Sequence, residues 1–86
     1  MQDVLIQGGK MTAKAFVLVE TAVGKSKEVV AMLQQMEGVK TVDTVTGPYD
    51  IIAVVESESL NEIGDIITSR IHDIDGISRT VTCLAV

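Results

Sequence analysis

Hydrophobic and polar positions along the chain fall into two rounds of one pattern. In the stretch Ala15 to Thr21, Phe16 and Leu18 point one way and Ala15, Val17 and Val19 the other. A strand apolar on both faces belongs in the middle of a sheet. Gly24 then opens a helix to about Met36. Val29, Met32, Leu33 and Met36 fit the i, i+3, i+4, i+7 template, which places both methionines in the core. Gly38 ends that helix as its C′ residue. Val39 to Thr46 is a second strand, mixed on both faces as an edge strand should be.

The second round starts at Ile51 to Val55, an unbroken apolar run and so another central strand. Ser59 followed by Glu62 makes a capping box. It opens a helix from about Leu60 to His72, with Leu60, Ile63, Ile67 and Ile71 as its stripe, widened by Ile66. Gly64 lies on the stripe, where close packing of helix on sheet is the expected reason. Asp75-Gly76 is the exit, and Ile77 to about Ala85 is the last strand. Ser78, Thr80 and Thr82 share one of its faces; Arg79, Val81 and Cys83 share the other, with Cys83 expected as a small core residue.

The halves correspond. Phe16-Val17-Leu18-Val19-Glu20 answers Ile52-Ala53-Val54-Val55-Glu56, and Glu37-Gly38-Val39 answers Asp75-Gly76-Ile77. Two strand–helix–strand units give an α+β, ferredoxin-like β-α-β-β-α-β fold. The expectation is a four-stranded antiparallel sheet with two helices on one face. The first and third strands are central, and are expected as parallel neighbours. The other face carries apolar residues that nothing in this chain covers. A second copy, sheet against sheet, would bury them as a dimeric α+β barrel. Which alternate set of side chains meets the helices is open. Residues 1–13 read as an N-terminal extension to a working domain at 14–86, with an apolar patch at Val4-Leu5-Ile6 and a flexible Gln7-Gly8-Gly9-Lys10; Met11 is an alternative start.

Composition sharpens this picture. Hydrophobic residues make up 47%, and seven Gly come on top. A typical domain holds about 45–50% apolar residues with Gly included. The surplus points to an oligomer interface. The formal net charge is -5, with Lys and Arg scattered. With one Phe and one Tyr there is no stacking platform either, so direct nucleic-acid binding is not expected. One Cys excludes an internal disulfide framework. No apolar run is long enough to span a membrane, and no signal peptide is evident, so the protein reads as cytoplasmic.

The chemistry on offer is sparse. His72 is the only histidine and has no partner at ligand spacing; it reads as an exposed helix-end residue. Glu56, Glu58, Glu62 and Asp65 gather at the start of the second helix and favour its dipole. No catalytic set, metal spacing, phosphate loop or cofactor motif is present. The exception is Gly47-Pro48-Tyr49-Asp50, mounted on a central strand. Pro48 suits the second position of a turn, and Tyr49 after it favours type I. This can be an ordinary β-turn. It can also be a small-molecule clamp, in which the Tyr49 and Asp50 amides hold a carboxylate, the Asp50 carboxylate takes an ammonium and Tyr49 lines the pocket.

Thr46-Gly47-Pro48-Tyr49-Asp50-Ile51, then Asp75-Gly76-Ile77 and Thr80-Val81-Thr82, resemble the effector (RAM) domain of the Lrp/AsnC regulators. The likeness covers about Lys14 to Val86. It implies a ferredoxin-like fold, homodimers through the sheet and rings of dimers, with amino acids bound between dimers near the Gly-x-Tyr-Asp turn. By position it implies a ligand site of Gly47, Pro48, Tyr49, Asp50, Thr80 and Thr82. Too few residues precede the first strand for the family's helix-turn-helix. The chain is therefore read as a stand-alone sensor without its own DNA binding, for which a full-length relative is a candidate partner in co-assembly. Two other classes stay open: an adaptor module with no ligand, and a small dimeric α+β-barrel enzyme, which would need polar groups between sheet and helices.

Overall fold

The computed structural model describes residues 12–86. The expectations on the first eleven residues lie outside the described residues. Four strands, β1 (Ala13–Thr21), β2 (Val39–Thr44), β3 (Ile51–Ser57) and β4 (Ile77–Leu84), form one sheet in the order β2-β3-β1-β4. Helix α1 (Ser26–Gln34) follows β1 and α2 (Leu60–Asp65) follows β3. The fold is the ferredoxin-like β-α-β-β-α-β. Strands β1 and β3 are central, but they pair antiparallel, which corrects the expectation of parallel neighbours. The reason is topological: α1 carries the chain back so that β2 runs with β1, and the β2–β3 hairpin then reverses it.

The register decides which side chains meet the helices. Val17 pairs with Ala53 and Val19 with Ile51, and all four are buried. With Ala15 and Val55 they pack under Val29 and Leu33 of α1 and Ile63 of α2. Phe16, Leu18, Ile52 and Val54 project from the opposite face, joined by Val81 and Cys83 of β4. Cys83 is exposed, not a core residue. Phe16 keeps 38% and Val81 37% of its surface exposed. No element among the described residues covers this face. Lys14 opposite Glu56 bounds it at one end, and Glu20 opposite Arg79 at the other.

The helices depart from the simple template. Val29 and Leu33 are buried, but Met32 is 50% exposed; Val30 packs at the core edge in its place, because α1 is rotated to aim that flank at the sheet. Leu60 is 58% exposed, on the wall of a groove that it shares with Thr82 and Leu84. Ser59 accepts the Glu62 amide at 3.1 Å, as the capping box requires. The Glu62 carboxylate meets the Ser57 hydroxyl, not the Ser59 amide. After Asp65 the helix widens into π turns over Ile66–Ile71, closed by the His72 amide on the Ile67 carbonyl at 3.0 Å. An i→i+5 repeat stacks residue 66 over 71, so Ile66, Ile67 and Ile71 are buried together. A Cβ at Gly64 would meet nothing within 4 Å, so close packing is not its reason.

The sequence repeat is a structural one. Gly38 and Gly76 sit at φ 95° and 101°. Their carbonyls accept the amides of Glu56, at 2.9 Å, and Ala22, at 2.7 Å. Two residues beyond each glycine the edge strand carries a bulge, at Lys40 in β2 and Ser78 in β4.

Candidate functional site

The loop between β2 and β3 is closed by the Val45 amide on the Asp50 carbonyl at 2.9 Å. Gly47 and Pro48 are exposed bends, and Gly47 takes φ 148° with open space around it. The type I turn expected from Pro48 and Tyr49 lacks its closing bond. The Asp50 amide donates instead to the Val19 carbonyl at 2.9 Å, extending the ladder in which Val19 faces Ile51. That amide is thus not open to a ligand's carboxylate. Asp50 itself is gripped by β1: its Oδ2 accepts the Thr21 amide at 2.8 Å and lies 3.3 Å from Thr21 Oγ1. The Thr21 hydroxyl is 2.8 Å from that of Ser26, the first residue of α1.

Tyr49 reaches across β1. Its hydroxyl accepts from Arg79 Nη2 at 3.1 Å, and the guanidinium carbon stands 5.3 Å from the ring centre. Arg79 Nε lies 3.8 Å from the Glu20 carboxylate. Ser78, the bulge residue, donates to the Glu20 carbonyl at 3.1 Å. Sequence reasoning did not single out Arg79, Glu20 or Thr21. Their only signal is strand register, which the β4 bulge shifts between Glu20 and Thr21.

Thr80 and Thr82 face the other way. They pair with Val19 and Val17 on the helix side of the sheet. Thr80 Oγ1 is 2.9 Å from Nε2 of His72 at the end of the second helix, where the sequence placed that histidine. Thr82 lines an apolar groove of about 340 Å³ with Leu60, Ile63, Gly64, Ile67 and Leu84. A polar hollow of about 690 Å³ lies between Lys40, Glu56 and Arg70. Neither is lined by Gly47, Pro48, Tyr49 or Asp50. One chain therefore brings the loop to Arg79 and the two threonines to the helix side of the sheet. Among the described residues no three His, Cys, Asp or Glu side chains are placed to hold a metal, and no helix is long and apolar enough to cross a membrane. The buried layer between helices and sheet is aliphatic.

The geometry has close counterparts. The crystal structure of FFRP-DM1 superposes with a TM-score of 0.83 at 38% identity, over 86% of this chain and 99% of that one. The transcriptional regulator NMB0573 of Neisseria meningitidis, solved as an L-Met complex, shares the fold at TM-score 0.80 and 13% identity, over the whole of this chain and 58% of that one. An uncharacterized HTH-type transcriptional regulator of Pyrococcus furiosus, PF0250, is 32% identical over 59 residues, which are 69% of this chain and 39% of that protein. The chain thus spans less than half the length of the curated relatives it matches. Residues 14–86 match the model of the Lrp/AsnC ligand binding domain. With its β-α-β-β-α-β sheet and its Gly47–Asp50 loop in place, the chain belongs to the Lrp/AsnC ligand-binding domain family.

Proposed function

We propose that this effector-sensing regulatory module takes an α-amino acid at a junction between copies, bordered by Gly47, Pro48, Tyr49 and Asp50 and completed by Thr80 or Thr82 of a neighbouring copy. The observation that carries this is the position of Asp50. Its carboxylate stands at the end of a central strand beside an exposed loop, with one oxygen held by Thr21. The second oxygen is a natural partner for an ammonium group. The separation of the loop from the two threonines within one chain is the reason for assigning them to different copies. The L-Met complex of NMB0573 supports an amino acid as the ligand class.

The uncovered apolar face supports a homodimer through the sheet, and the family supports further assembly into a ring of dimers. A regulator of the same family, in the cytoplasm, is a candidate partner for co-assembly. Thermal-shift and calorimetric titration with the twenty amino acids tests the sensor reading, since a ligand selective for the folded state raises Tm. Absence of binding at millimolar concentration would leave an adaptor module. One observation favours that second reading: both Asp50 Oδ2 and the Asp50 amide serve β1, as a purely structural loop anchor would.

A further inference from the structure

We propose that Arg79 is the positioning residue of the Gly47–Asp50 loop: it holds Tyr49 across β1 and so sets the shape in which the loop meets its effector. The inference rests on the sensor reading above and adds to it a residue on a different strand. Three contacts carry it. The Arg79 guanidinium stacks 5.3 Å from the Tyr49 ring centre, donates to the Tyr49 hydroxyl at 3.1 Å, and stands 3.8 Å from the Glu20 carboxylate.

The loop is therefore tied down at two neighbouring residues of β1 by different means. Asp50 is held by the Thr21 amide, a contact on the loop's own side of the strand. Tyr49 is held from beyond β1, by a residue of β4 whose guanidinium sits over Glu20. Gly47 and Pro48 are exposed, and Gly47 has open space around its Cβ position. A planar guanidinium can stack and hydrogen-bond at once, which a lysine ammonium cannot do in the same geometry. The Ser78 bulge beside Arg79 re-aims this end of β4, the usual use of a bulge next to a site.

Tyr49 is the only tyrosine and the chain has no tryptophan, so near-ultraviolet circular dichroism and phenol fluorescence report on this one ring. The experiment compares the full chain with Arg79→Ala, Arg79→Lys and Tyr49→Phe, by those spectra and by calorimetric titration with each of the twenty amino acids. Arg79→Ala should leave far-ultraviolet dichroism unchanged, weaken the tyrosine dichroic band, and reduce affinity for the bound amino acid by about fivefold. Arg79→Lys should restore neither spectrum nor affinity, whereas a simple charge effect would be rescued by lysine. Tyr49→Phe keeps the stacked ring and should lose less affinity than Arg79→Ala. A native tyrosine band in Arg79→Ala would overturn the positioning role, as would a changed band with unchanged affinity. If the unaltered chain binds no amino acid, the sensor reading fails, and the tyrosine band alone then decides whether Arg79 sets the loop.

Discussion

The Asp50 carboxylate accepts the Thr21 amide at 2.8 Å across 29 residues of sequence. It thereby joins the β2–β3 loop to the end of the other central strand. The contact is part-buried, and removing its acceptor leaves an amide without a partner. Asp50→Ala should lower the unfolding free energy by about 1–2 kcal/mol, more than an ordinary surface turn carboxylate would. Asp50→Asn keeps an acceptor and should lose less than about 1 kcal/mol. Asparagine nonetheless removes the charge, so amino-acid affinity should fall about tenfold in both variants. Urea unfolding and calorimetry separate the two roles; equal stability of the alanine variant and the unaltered chain would show that the anchor is not used in solution.

Val17 and Val54 lie on opposite faces of the central strands, and a buried charge should act differently at each. Val17 is fully buried beneath the helices. Val17→Asp should unfold the chain, since an unpaired carboxylate there costs at least about 3 kcal/mol. Val54 projects from the uncovered face opposite Phe16. Val54→Asp should stay folded and become monomeric. Circular dichroism with analytical ultracentrifugation reads both outcomes, and a folded monomer of the unaltered protein at micromolar concentration would refute the dimer.

The glycines make a contrast of sign. At Gly38 a Cβ would stand 2.7 Å from the Ile66 Cδ1, and at Gly76 it would stand 2.9 Å from the Lys25 Cβ, both at positive φ. Gly38→Ala and Gly76→Ala should each destabilise by about 1–3 kcal/mol. Gly64 lies in a helix with open space at its Cβ position. Gly64→Ala should therefore stabilise by up to about 1 kcal/mol, raising Tm by several degrees. Thermal melts of the three variants check the order.

With seven Lys and Arg against twelve Asp and Glu, this chain carries no electrostatic footprint for a phosphate backbone. A mobility-shift titration with random-sequence duplex at physiological salt should show no tight complex. Salt-sensitive binding at submicromolar concentration would contradict this.

Much of the fold was legible because it is written in local periodicity. The two-sided apolar runs of β1 and β3, the mixed edge strand at Val39, the Ser59 cap and the Gly38 and Gly76 exits all fell where the structure has them. Three helical residues did not behave as the template implies. Met32 and Leu60 fit it, yet they are half exposed, because the direction of the core is set by how each helix is tilted on the sheet. Gly64 matched the stripe for a reason its surroundings do not supply. The π turns were invisible for a related cause: a change from i→i+4 to i→i+5 bonding alters which isoleucines share a face without altering their order.

The candidate site divides in the same way. Fold class, uncovered apolar face and Gly47–Asp50 loop are all legible in the amino-acid order, since each depends on residue types at short spacing. Tertiary structure alone decided the strand directions, and that Ala15, Val17 and Val19 meet the helices while Phe16 and Leu18 do not. It alone committed the Asp50 amide to Val19, turned Thr80 toward His72, and brought Arg79 over Tyr49. Each of these follows from the register of strands distant in sequence. A shift of one residue exchanges the two faces of a strand, and only packing of the whole sheet against its helices fixes that register.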